Sequence, residues 1–281
     1  MLGQLAPDDL ELLTRMAICN RFCASLCATL LGEPQALARM TTRLVHLDRE
    51  NLFISQVSDR DREAWYRLHP LLREVLLARL AALPEAELRG LHGRAWRWFD
   101  AHGHIDEAVR HAVRAGEVQA AADMVEACAY GLLAQGALTR LAGLMRRLPA
   151  EQVQARIGLR LITAYLQLYA CDLDALRQGL QRMHAERNGL DLRQRHIVTM
   201  LYAGLAMQSD DTDAMQAILP QLQAVPHDAD AFIFVGRSHL LAWMHMYLGE
   251  FTRAREVLRD GVRHGTSAGR RLVGRCLEPG E

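Results

Sequence analysis

Lysine is absent: all thirty-three Lys-or-Arg positions in the 281 residues are Arg. Without an ε-amine, phosphate binding by a Walker-type lysine and Schiff-base catalysis are both excluded. The thirty-three acidic side chains balance the arginines to a net charge of zero. Coating nucleic acid or anionic lipid by bulk electrostatics is excluded in turn, leaving only local basic patches for such contacts. Cysteine is scarce, at positions 19, 23, 27, 128, 171 and 276, and no two form a C-x-x-C. That pattern is too sparse for a disulfide framework and fits a reducing compartment. Also missing are an apolar run approaching about eighteen residues and a basic, then apolar, start after Met1. A cytoplasmic protein with no membrane partner is expected. What the chain does have is apolar content, at 50%, enough for a substantial core.

Two styles of sequence meet near Leu83-Pro84. Before that point, helical spacing runs from Pro7 to about Ile18, from Phe22 to Leu31 and from Pro34 to about Val45, with Gly32 placed to end the second helix. Residues 51–57 then turn extended, 58–63 are polar enough for a hairpin tip, and Trp65-Tyr66-Arg67-Leu68 suits a second strand. A helix from Leu71 to about Leu83 follows. Three helices, a two-stranded wing and a trailing helix describe a winged-helix domain over residues 1–82.

From residue 83 to 264 only amphipathic helices are expected, broken at Gly103, Gly116 and Gly249, each followed by four residues and an Ala. Weaker copies lie at 171–175 and 210–214. The alanines at 175, 214 and 254 are 39 and 40 residues apart, the length of one antiparallel helix pair with its connections, which predicts a TPR-like α-α superhelical repeat. Gly permits the left-handed turn, and the small Ala is expected to let the two backbones approach. Residues 265–281 are expected to be an irregular tail. The fold class is therefore mainly α.

Several groups are candidate sites. Gly265-Thr266-Ser267-Ala268-Gly269 matches a nucleophile elbow, but no strand precedes it and no His follows, so a chance match is expected. His104, Glu107 and His111 lie on one helical face with His102 just before it, a set that could hold zinc; capping and packing are the expected role. Cys19, Cys23 and Cys27 form a four-residue ladder on the second helix and are expected as core. Arg39, Arg43 and His46 line the third helix, which would read DNA in a DNA-binding winged helix; ten acidic against ten basic residues in the first eighty argue against that. Trp65, Trp96, Trp98 and Phe99 are expected in packing. His69, between a strand and Pro70, is placed beside a positively polarised helix N-terminus. No catalytic residue and no metal site are expected.

The stretches Asn51-Leu52-Phe53, Trp65-Tyr66-Arg67-Leu68-His69-Pro70-Leu71-Leu72, Leu91-His92-Gly93-Arg94-Ala95-Trp96 and Glu107-Ala108-Val109-Arg110-His111-Ala112 resemble, in order, the large LuxR-type transcriptional activators of the MalT kind. These belong to the signal-transduction (STAND) ATPases with numerous domains. The resemblance covers about residues 5 to 264. It implies that the chain corresponds to the middle of such a protein: a winged helix and a helical-repeat sensor arm. The nucleotide module and the DNA-binding domain of the family, and hence its ATP or ADP, would lie outside the chain, which is expected to be non-enzymatic. Leu68-His69-Pro70-Leu71 is similar to the His motif of related apoptotic and plant resistance ATPases. There the His touches the β-phosphate of ADP, although Pro70 stands where those relatives carry Asp.

The expected function is that of a regulatory fragment in transcription regulation and signal transduction. Its winged helix would latch a nucleotide-binding module, and its arm would bind a small-molecule inducer or a protein in a concave groove. Arg94, Arg97 and His92 are available near the junction, though nothing ranks them above their neighbours. The alternatives are a freestanding TPR-like interaction adaptor and, less favoured, a DNA-binding winged helix.

Overall fold

Leu12, Leu13 and Met16 fall on one side of the first helix, α1 (Pro7–Met16), and all three are shut off from solvent. Pro7 opens α1 in its first turn, where its missing N–H leaves no bond unmade, and Asp8 and Asp9 follow at the positively polarised end. This computed structural model describes residues 6–50, 53–57, 63–186, 189–226, 230–261 and 263. Leu26 and Leu30 of α2 (Ala24–Leu31) meet Met40, Leu44 and Leu47 of α3 (Leu37–Arg49) to complete a three-helix core.

Two expected helices start later than their apolar spacing suggests. Phe22 is drawn into an antiparallel bridge with Tyr66, with N–H to carbonyl distances of 2.9 and 2.8 Å in the two directions, so α2 begins only at Ala24. Pro34 opens a single 3₁₀ turn, Pro34–Ala36, before α3 proper begins. The wing consists of β1 (Ile54–Val57) and β2 (Trp65–Leu68), antiparallel with Ile54 opposite Leu68 and Val57 opposite Trp65. After it comes α4 (Pro70–Leu80), whose Leu72, Leu76 and Leu80 face inward and which packs on α1.

Beyond the wing the chain is helical: α5 (Glu85–Ala101), α6 (Ile105–Arg114), α7 (Val118–Ala134), α8 (Leu138–Met145), α9 (Ala150–Ala155), α10 (Ile157–Tyr169), α11 (Leu173–Ala185), α12 (Leu192–Gln208), α13 (Thr212–Gln223), α14 (Ala231–Tyr247) and a helical stretch over 251–261. The protein is thus mainly α, a winged-helix domain followed by a helical-repeat region. Two compact units part between Ala121 and Ala122, so the first unit holds the α5–α6 hairpin together with the winged helix. The change of sequence style near residue 83 and this division in packing are separate features. The expected tail, residues 265–281, lies outside the described residues.

Six of the helix-to-helix turns share one construction. Gly103, Gly116, Gly136, Cys171, Asp210 and Gly249 all adopt left-handed φ, between 51° and 81°. In each case the next residue donates its N–H five residues back, as in His104 to Phe99 at 2.9 Å and Asp211 to Ala206 at 3.0 Å. This is the Schellman closure, which satisfies a carbonyl the helix end would otherwise leave open. Where Gly is absent, Asp172 and Asp211 follow the strained residue and cap the next helix through Ala175 and Ala214 N–H.

Aligning the copies on the left-handed residue corrects the expected register. The buried position five residues on is Ala108, Ala121, Leu141, Leu176, Met215 and Ala254, all between 0% and 6% exposed. Ala175 and Ala214 lie one step short of it, only partly buried. The turns at 171, 210 and 249 are then a uniform 39 residues apart, and Gly136 is a further copy the Gly-and-Ala template missed. Small residues permit close approach elsewhere, between first helices: a Cβ on Gly204 of α12 would lie 2.8 Å from Leu168 of α10, and one on Gly236 of α14 3.1 Å from Met200 of α12.

Candidate functional site

The corner between β2 and α4 places His69. Its N–H donates to the Phe53 carbonyl at 2.7 Å, its own carbonyl accepts from Arg73 N–H at 3.0 Å, and Pro70 fixes the first helical position. Its side chain makes no capping bond and the residue is exposed. On the helix that follows, Leu71 and Val75 are 65% and 48% exposed. An exposed imidazole therefore stands at the helix start on a backbone held from both sides, and two exposed apolar side chains four residues apart share one face of the helix.

The helix face carrying Glu107 and His111 sends its residues to different partners. His111 is fully buried and faces His92, itself 3% exposed, with the two Nδ1 atoms 2.7 Å apart. Arg110 approaches His111 Nε2 at 2.8 Å, and Arg has no acceptor. His111 must then accept at Nε2, carry its proton on Nδ1 and donate it to His92. Burial, with Arg110 and Arg114 nearby, holds the His92 pKa down to about 4 and that of His111 lower still. Glu107 accepts from Asn20 Nδ2 at 2.8 Å and pairs with Arg110, whose other nitrogen donates to the Ile18 carbonyl at 3.1 Å. His102 lies flat on Trp98 at 3.9 Å, while His104 meets the Trp65 ring at 5.1 Å. Among the described residues these side chains form no group able to hold a metal.

His92 is therefore not available at the junction as expected, and Arg97 is engaged by Glu117 at 2.9 Å and by the Gly93 carbonyl at 2.8 Å. Arg94 alone of that trio is exposed and outside these contacts. Trp65, Trp98 and Phe99 form an aromatic core, Trp65 meeting Trp98 edge-on at 6.0 Å. Trp96 is half-buried beneath the Arg97 guanidinium, 4.7 Å from its ring.

The cysteine ladder is not a stripe on one helix: Cys19 precedes α2, Cys23 is its N-cap and Cys27 lies within it. The Phe22 bridge interrupts the helical path. All three are buried, and burial raises the Cys23 thiol to about 12 and the other two higher. On α3, Arg39 pairs with Glu33 and Arg43 with Asp9, so both guanidiniums already have carboxylates, whereas His46 is exposed. The elbow-like segment 265–269 lies outside the described residues.

Two features of the second unit had no signal in local periodicity. Tyr130, Tyr165 and Phe232, from α7, α10 and α14, meet with ring separations of 4.9 to 6.5 Å, and Arg193 lies 4.3 Å over Tyr130 while its Nε donates to Asp230 at 2.7 Å. A cleft opens between α11, α12 and α13. The long separations joining these residues explain why spacing along the chain could not reveal them.

A three-helix domain with a short wing and an exposed His at the wing-to-helix corner, followed in the chain by a helical-repeat region, defines a winged-helix architecture. The first domain is of the MalT type: residues 1–88 match the family model described as the MalT winged helix domain. The chain is similar to the HTH-type transcriptional regulator MalT of Cronobacter sakazakii (strain ATCC BAA-894), 26% identical over 228 residues, covering 80% of this chain and 25% of that protein. With MalT of Serratia proteamaculans (strain 568) it is 30% identical over 166 residues, covering 59% and 18%. Serine/threonine-protein kinase PknK of Mycobacterium tuberculosis (strain ATCC 25618 / H37Rv) is 30% identical over 168 residues, covering 60% and 15%. The chain spans a quarter or less of the length of these relatives. No solved structure matches. No described helix is long and apolar enough to cross a membrane.

Proposed function

We propose that the chain is the regulatory segment of a MalT-like transcriptional regulator, cytoplasmic and without catalysis of its own. Its winged helix docks a nucleotide-binding module, with His69 meeting the β-phosphate of ADP held by that module. Its TPR-like repeat arm binds a small-molecule inducer or a protein, and any DNA contact belongs to another domain. The observation that carries this reading is the exposed His69, its backbone held at both ends, at the start of a helix that also exposes Leu71 and Val75. A charged phosphate accepts a hydrogen bond from an imidazole strongly, and the exposed Leu71 and Val75 of the same helix offer apolar surface for a docked module. The Arg39–Glu33 and Arg43–Asp9 pairs favour this over a DNA-reading α3, because phosphate contact there would first have to break them.

The test is association of the full chain with the nucleotide-binding module of a MalT-type relative, loaded with ADP and followed by calorimetry. His69→Ala should weaken association by roughly ten- to a hundredfold, the loss expected for a hydrogen bond to a charged group. An interaction adaptor unconnected to nucleotide would show no difference between ADP-loaded and empty module, or between the unsubstituted chain and the His69→Ala variant. That result would overturn the latch.

A further inference from the structure

The cleft between α11, α12 and α13 has a volume of about 350 Å³, at the lower end of the roughly 300–1,000 Å³ usual for small-molecule sites. Its floor is aliphatic: Met183, Leu190 and Val198 are buried, and Ile218 closes one side. Its rim is cationic, because Arg195 is the one permanently charged side chain in the lining and no carboxylate joins it among the described residues. Arg195 Nε donates to the Leu190 carbonyl at 2.9 Å. That bond anchors the guanidinium at the rim and leaves its two terminal nitrogens without a carboxylate among the described residues. Two turns further along α12, Tyr202 lies edge-on to His184 at 6.5 Å and forms the polar wall.

We propose that this cleft binds a small carboxylate with an apolar body, its carboxylate held by the Arg195 terminal nitrogens and its body lying over Met183, Leu190 and Val198. A guanidinium fork matches a carboxylate in two parallel hydrogen bonds, and an aliphatic floor rewards burial of a ring or short chain. A phosphate ester, with up to two charges, would call for more than one cation, and the lining supplies one. In its biological consequence the site rests on the sensory role proposed above; as a binding site it stands on the cleft alone.

Benzoate, hexanoate and octanoate serve as probes, each against its primary amide, with binding to the full chain read by calorimetry and by the shift in melting temperature. The acids should bind, the amides roughly tenfold more weakly or worse, as for the loss of a charge-assisted pair. Arg195→Gln, an exposed position, should remove the difference between acid and amide. Ile218→Glu, half-exposed, should abolish acid binding by placing a like charge in the cleft, and circular dichroism checks that both variants fold. Absence of binding by all three acids, equal binding of acids and amides, or wild-type acid affinity in Arg195→Gln would each overturn the site. The same probes added to the chain and its ADP-loaded module separate the two claims. Cleft binding that leaves module affinity unchanged supports the site while counting against the sensory role.

Discussion

Acidifying the protein from pH 8 to pH 5 should weaken the first unit through His92 and His111. Their shared hydrogen bond needs one ring to donate and the other to accept, so a proton on either acceptor nitrogen breaks a contact that nothing else replaces. An added proton would also place a cation among Arg110 and Arg114, with Glu107, 3.8 Å from His111 Nε2, offsetting only part of that repulsion. In the unfolded chain both rings titrate near 6.5, whereas in the fold His92 stays neutral to about 4 and His111 further down. Between those values the unfolded state binds more protons. Stability is therefore fully present above about pH 6.5 and falls as the pH drops toward 4. At pH 5 the deficit is about 2 kcal/mol per histidine and about 4 kcal/mol for the pair as an upper bound, a large share of the 5–15 kcal/mol, roughly, that holds a typical domain. Urea unfolding followed by tryptophan fluorescence at pH 8, 6.5 and 5 measures it, because Trp65 and Trp98 lie in this unit. The control is His92→Leu combined with His111→Phe, which removes both partners at once and strands neither. Its stability should fall much less over the same range. Parallel decline of the two proteins would refute the assignment.

Cys171 adopts φ 56° without being glycine, so Cys171→Gly should raise stability by about 1 kcal/mol by relieving the left-handed strain; an unchanged or lower urea midpoint would contradict this. Gly204→Val should cost about 1–3 kcal/mol by overpacking, because its Cβ would lie 2.8 Å from Leu168, and thermal melting would show it. In a Cys276→Ser background, Cys171 should react promptly with a thiol reagent while Cys19, Cys23, Cys27 and Cys128 react only on unfolding, since those four are buried and Cys171 is exposed. Fast labelling of two or more thiols in the folded protein would argue against the burial of these four.

What could be read from residues in order was local. Helical spacing marked α1 and α4, the extended pattern at 51–57 and the aromatic run at 65–68 marked the wing, and the glycines at 32, 103, 116 and 249 marked left-handed turns, because backbone sterics act within a few residues. The resemblance carried by Trp65 to Leu72 pointed to the MalT-type winged helix that residues 1–88 match. Tertiary structure decided what depends on partners far along the chain. Phe22 pairs with Tyr66 and shortens α2, Leu176 and Met215 rather than Ala175 and Ala214 occupy the buried step, and a face carrying zinc-binding residue types sends His111 to His92 instead. The Arg195 cleft likewise exists only because α11 and α13 flank α12. Periodicity specifies which side of a helix is apolar. Which neighbour that side meets, and which polar groups are thereby stripped of water, follows only from how the helices pack.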